Sequence, residues 1–153
     1  MKLFKLVIFF LVVNFGALAI GNLLMADGPR TDWYLNLNKA PWTPPGWVFG
    51  VAWFTIMLCF SVYMAYLYKL LPKLDVILLF SIQFVLNVIW NYCFFNLHYI
   101  GLGFTIITIL TFVVGVFTFK YNNNLKLKTI LILPYLIWLC IATSLNGYIL
   151  LNN

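Results

Sequence analysis

The sequence predicts an all-α membrane protein, a bundle of five membrane-spanning helices with a structured first extramembrane loop. Three observations carry that prediction. Of 153 residues, 65% are hydrophobic and only 8% charged, with a mean hydropathy of +1.02, whereas an ordinary globular domain is roughly 45–50% apolar and about 25% charged. The charged residues are so unevenly spaced that four stretches without Asp, Glu, Lys or Arg run 21, 29, 44 and 25 residues. One crossing takes ~20 apolar residues, so five take ~100, close to the whole apolar share. A single domain, residues 1–153, therefore fills the chain.

The first uncharged stretch, between Lys5 and Asp27, predicts a helix over 3–25. A cleaved signal peptide competes for it, because Lys2 and Lys5 precede an apolar run and Ala17-Leu18-Ala19 resembles a small-residue cleavage site. Apolar character continues through Leu23, Leu24 and Met25, long enough to span. A loop follows over 26–43, far above the median connection of about 4–6 residues, and such loops are usually lids, binding loops or disorder. Its aromatic and proline content, from Trp33-Tyr34 through Pro41-Trp42 to Pro44-Pro45 and Trp47, argues against disorder. Two readings stay open: an interfacial belt of Trp and Tyr at headgroup depth, or a lid closing over a ligand.

Thr43, Pro44 and Pro45 then make a helix start, with Thr as cap and proline's missing N–H harmless in the first turn. That gives a second helix over 44–69. The 44-residue gap between Asp75 and Lys120 would be ~66 Å as one helix, more than twice the hydrocarbon thickness. It must be two helices, over 75–97 and 100–120, turning where Asn96, His98, Gly101 and Gly103 collect. The last stretch predicts a fifth helix over 127–151. Within the third helix Gln83, Asn87 and Asn91 recur every four residues and form one polar stripe. It either bonds helices together or lines a cavity. In the fifth, Pro134, Trp138, Ala142 and Asn146 share one face with Leu145 beside it, an indole one turn from a small residue. That pattern makes either a recess with an aromatic wall or a close helix contact.

Five crossings put the termini on opposite sides. Lys2, Lys5, Lys69, Lys73, Lys120, Lys126 and Lys128 fall on one side, with only Arg30 and Lys39 on the other. The positive-inside rule then predicts a cytoplasmic N-terminus and an external C-terminus. The net charge of +6 forms no basic face that could follow a phosphate backbone, so nucleic acid is excluded as a partner. Cys59, Cys93 and Cys140 are far apart and come with a lone His98, which gives no disulfide framework or metal set. The carboxylates are Asp27, Asp32 and Asp75 only, none deep in a span, which excludes the usual hydrolase and transferase sites. The lack of intramembrane charge argues against a proton-coupled pump or charged-substrate transporter. An apolar pocket with amides and indoles remains.

Three separated motifs now resemble those of the translocator protein and tryptophan-rich sensory protein family (TspO/MBR, peripheral benzodiazepine receptor-like). The loop motif is Trp33-Tyr34, Leu37, Lys39, Trp42 and Pro44-Pro45, followed by Trp53. The third-helix motif is Asn87, Trp90, Phe94 and Phe95, and the fifth-helix motif Pro134-Tyr135, Trp138, Ala142, Thr143, Leu145 and Asn146. Two positions depart from the family pattern. Ala40 stands where a proline usually follows the loop lysine, and no basic residue follows Tyr148, so the sterol-recognition pattern of animal members is missing there.

The resemblance implies a five-helix receptor or sensor in a membrane, here a bacterial cell membrane. Its pocket would lie inside the bundle under the first loop. It would accept tetrapyrroles, protoporphyrin IX and haem-related compounds, and also benzodiazepine and isoquinoline ligands. The implied ligand-contact positions are Tyr34, Trp42, Trp53, Asn87, Trp90, Trp138, Ala142 and Leu145. No obligatory cofactor is implied; porphyrin enters as ligand. Membrane lipid and a homodimer partner are also implied. The alternatives are a light- and oxygen-dependent porphyrin-degrading enzyme, with Trp53 and Trp138 as donors to the excited porphyrin, and a transporter of tetrapyrroles or lipids.

Overall fold

The computed structural model describes residues 2–153. Its order is α1 (Leu3–Met25), a 3-10 turn (Gly28–Arg30), the short α2 (Asp32–Leu35), α3 (Gly46–Leu70), α4 (Leu74–Asn91) continuing into a π-helical segment (Tyr92–Asn96), α5 (Ile100–Lys120), the short α6 (Asn122–Leu125), a 3-10 segment (Lys126–Ile132) and α7 (Leu133–Asn152). Among the described residues every regular element is helical. Five helical stretches are long and apolar enough to cross a membrane. The protein is a multi-pass integral membrane protein.

The long helices close a ring in which α3 packs on α1, α1 on α4, α4 on α5, α5 on α7, and α7 back on α3. The two halves of this ring are filled differently. At the end holding the N-terminus of α1, large side chains occupy the axis: Phe60, Tyr63, Phe117 and Tyr135 are fully buried and meet edge to face or stacked at 5.2–6.4 Å. Two buried hydrogen bonds there join neighbouring helices. Asn14 Nδ2 donates to Ser61 Oγ at 2.8 Å, binding α1 to α3, and Tyr63 Oη donates to the Phe117 carbonyl at 2.8 Å, binding α3 to α5. At the same pole Lys120 and Asp75 form an ion pair at 2.8 Å. The opposite half carries small residues on its inner faces, and it is hollow.

Three local departures from the sequence-based expectation have identifiable causes. The second spanning helix begins at Gly46 with Pro45 as its cap position and no side-chain cap. Thr43 turns the other way, its hydroxyl donating to the Ala40 carbonyl at 2.7 Å. The fourth span starts at Ile100 as predicted, but the turn before it takes only residues 97–99 and does not use the two glycines expected to help form it. His98 takes a positive φ of 59°, while Gly101 and Gly103 lie inside α5. Gly103 is there because a Cβ would come within 2.8 Å of the Phe94 ring. Last, the fifth span starts as a 3-10 segment, because Pro134 has no N–H and its ring would clash with the carbonyl one α-turn earlier.

Candidate functional site

The loop between α1 and α3 is folded over the hollow half as a lid. Thr31 caps α2, accepting from the Tyr34 amide at 3.4 Å and donating to the Gly28 carbonyl at 2.7 Å. The ammonium of Lys39 closes the other end of α2, donating to the carbonyls of Tyr34, Leu35 and Leu37 at 2.8, 3.0 and 3.3 Å. Where the family pattern has proline, buried Ala40 accepts both the amide and the hydroxyl of Thr43, so a hydrogen-bonded turn holds the second half of the lid.

Contacts to the π-helical end of α4, to the turn after it and to the end of α7 fix the lid from outside. Gly28 lies so close to Phe95 that a Cβ would meet it at 2.5 Å. Trp33 stacks on His98 at 4.0 Å and meets Phe94 edge-on. Asn38 exchanges hydrogen bonds with Asn152 and Asn153 at 2.9–3.3 Å.

Beneath the lid is a cavity of about 630 Å³ walled by α1, the lid, α3 and α4, with Ala17, Leu18, Asn22, Tyr34, Lys39, Phe49, Gly50, Trp53, Phe54, Asn87, Trp90 and Asn91 among its residues. That volume lies within the ~300–1,000 Å³ typical of small-molecule sites. A second hollow, of about 30 Å³, lies deeper toward α5 and α7 and is lined by Ile107, Trp138, Ala142, Leu145, Asn146 and Ile149. The two are neighbours, since Tyr34, Thr43, Phe49, Trp53, Trp90 and Phe95 line both. Flat aromatic faces dominate the shared wall. Trp90 lies parallel to Phe94 at 5.6 Å, Trp53 meets Tyr135 edge-on at 6.0 Å, and Phe49 meets Trp138 edge-on at 5.2 Å. Burial pushes the Tyr34 phenol above its ordinary range, which keeps it a neutral hydrogen-bonding group.

The π-helical segment explains how two adjacent phenylalanines reach this wall. In an α-helix successive side chains turn about 100° apart, so three neighbours rarely all face inward. Here Cys93, Phe94 and Phe95 are all buried. The widened turn, in which the Leu97 amide donates to the Tyr92 carbonyl, brings them round together.

Of the positions singled out from sequence, Tyr34, Trp53 and Trp90 border both hollows, Asn87 the larger, and Trp138, Ala142 and Leu145 the smaller. Trp42 is the departure. It borders neither hollow, is 55% exposed, and rests on the outer side of α7. Its indole N–H donates to Ser144 Oγ at 3.2 Å and its ring meets Tyr148 edge-on at 5.5 Å. The physical reason is the Ala40–Thr43 turn, which swings the intervening residues outward.

The amide stripe also divides. Gln83 bonds helices, its Nε2 donating to Tyr135 Oη at 2.7 Å, while Asn87 and Asn91 face the large cavity. Sequence reasoning passed over Phe49 and Gly50. Their signal was spacing, four and three residues before Trp53 and so on its helical face.

Comparisons with known proteins agree with this architecture. The TspO/MBR family matches residues 8–151. A tryptophan-rich protein TspO from Archaeoglobus fulgidus is 33% identical over 158 aligned positions, covering 100% of this chain and 99% of its own length. The human translocator protein is 30% identical over 151 positions, covering 95% and 88%. Protein CrtK of Rhodobacter capsulatus is 30% identical over 118 positions, 74% of each chain. With near-complete coverage, a five-helix ring and the lid motif in place, the chain belongs to the TspO/MBR family.

Proposed function

We propose that this protein is a membrane receptor or sensor that binds porphyrins, protoporphyrin IX foremost, in the lidded cavity, and that it also accepts flat aromatic ligands of the benzodiazepine and isoquinoline kind. The observation that carries this reading is the 630 Å³ cavity whose shared wall with the inner hollow is built from Tyr34, Phe49, Trp53, Trp90 and Phe95. Aromatic faces offer a macrocycle offset stacking, worth about 0.5–1.5 kcal/mol per pair beyond the area buried. One cation, Lys39, lines the cavity and no carboxylate does, so a ligand with acidic substituents meets no like charge. Names of relatives, tryptophan-rich sensory protein in Cereibacter sphaeroides among them, agree with a sensing role.

The test is a spectrophotometric titration of the detergent-solubilised protein with protoporphyrin IX. Saturable binding is expected, weakened at least tenfold by Trp53→Ala, because that indole borders both hollows. Linear, unsaturable association that is equal in wild type and variant would overturn the reading.

In this reading the membrane is a bacterial cell membrane, with the lid external and the lysine-rich pole cytoplasmic.

A further inference from the structure

Among the described residues, four buried side-chain polar atoms have no hydrogen-bond partner: Gln83 Oε1, Trp90 Nε1, Thr129 Oγ1 and Asn146 Oδ1. Gln83 and Thr129 border neither hollow, whereas Trp90 and Asn146 both border the inner one. Their chemistry is complementary. An indole nitrogen can only donate, and an amide oxygen can only accept. The amide nitrogen of Asn146 has a partner, donating one N–H to the Ala142 carbonyl at 2.9 Å, and only its oxygen is left without one. Asn146 is 5% exposed, so bulk water does not satisfy it. Buried polar groups are nearly always paired, and orphans of opposite type at one hollow mark a place for a group absent from the chain itself.

The lining of the hollow restricts that group. It contains no Asp, Glu, Lys, Arg or His, so an ionised tip would lose its hydration without gaining a counter-charge, and a carboxylate would also face the Asn146 oxygen. The nearest cation of the cavity system, Lys39, lines the large compartment and already donates to three carbonyls. Size restricts the group as well. About 30 Å³ is two to three times the ~10–15 Å³ that one water needs, enough for the edge of a ring and too little for a macrocycle.

We infer that the inner hollow is a specificity subsite for a neutral lactam edge, whose C=O accepts from the Trp90 indole N–H and whose N–H donates to Asn146 Oδ1, while the flat body of the ligand lies against the aromatic wall of the larger cavity. A lactam holds its amide cis and so presents donor and acceptor side by side on one edge. This rests on the reading of the cavity as a ligand site, and it adds which edge of a ligand points inward.

A matched pair of flat ligands tests it: phenanthridinone, a tricyclic lactam, and its N-methyl derivative, which lacks only the donor. Calorimetric titration of the solubilised full chain is expected to show the lactam binding at least tenfold tighter. Asn146→Leu, close in size but without the acceptor, should bring that ratio to about one by weakening the lactam, with the N-methyl derivative bound within threefold of its wild-type affinity. Trp90→Phe, which keeps a flat ring and removes the N–H, should weaken the lactam at least fivefold.

A wild-type ratio near one alongside normal porphyrin binding overturns the lactam subsite and leaves the receptor reading standing. Retention of the ratio in Asn146→Leu overturns it too, and equal weakening of both ligands of the pair would make Asn146 a structural residue. If that variant does not fold, the wild-type ratio decides alone. Failure of wild type to bind any of the three ligands overturns the receptor reading and this inference together.

Discussion

Gln83, Asn87 and Asn91 show how residues of similar chemistry on one face of one helix can be given different work. Gln83 meets the buried phenol of Tyr135, whereas one and two turns further on the facing space is empty. Replacing Gln83 by Leu leaves the Tyr135 hydroxyl without this partner in a dry interior, and the expected cost is ~1–3 kcal/mol of stability. Thermal unfolding in detergent should register it, with protoporphyrin affinity changed less than threefold. Sequence spacing was enough to put the three amides on one stripe. It was not enough to say where along the axis the hollow begins, because that depends on whether the opposing residue is as large as Tyr135 or as small as Ala142. Trp42 was illegible for a related reason. Helical periodicity says which way Trp53 or Trp138 points, but the direction of a loop side chain is set by tertiary bonds, here the turn back to Ala40 and the reach to Ser144.

At the scale of elements, α3 positions the wall. Gly46, Phe49, Gly50 and Trp53 follow one another along its inner face, and a Cβ added at Gly46 or Gly50 meets nothing within 4 Å. These glycines therefore leave volume for a ligand instead of bringing helices together. Gly50→Leu should fill the cavity and lower protoporphyrin affinity at least tenfold, while leaving the unfolding midpoint unchanged or higher, since leucine favours helix over glycine by about 0.5–1 kcal/mol. A variant that loses the fold along with binding would show Gly50 to be a packing residue. The number and order of spanning helices were legible from charge gaps together with helix length, because the cost of burying charge in hydrocarbon and the thickness of the bilayer leave few alternatives. The π-helical and 3-10 departures were not. The first depends on three neighbouring side chains all finding room inside, and the second on how far the consequences of Pro134 extend back along the chain.

Across the whole molecule the two ends are chemically distinct. One pole has the dense aromatic core, the Asp75–Lys120 pair and most of the lysines; the other has the lid, with Arg30 and Lys39. The structure places the start of α1 and the end of α7 at opposite poles, since Asn153 bonds the lid while α1 begins at the packed pole. Seven basic residues against two then predict a cytoplasmic N-terminus. Alkaline phosphatase fused after Asn153 should be active in intact bacterial cells, and a fusion in the loop carrying Lys69 and Lys73 should be inactive; the reverse pattern would invert the molecule.

The bonds of Asn38 to Asn152 and Asn153, with that of Trp42 to Ser144, have a mechanical meaning. They join the covering segment to the outer turns of α7 as a single lever. Tilting of that helix must pull on the roof, and upward pressure from a guest must strain the same few polar links.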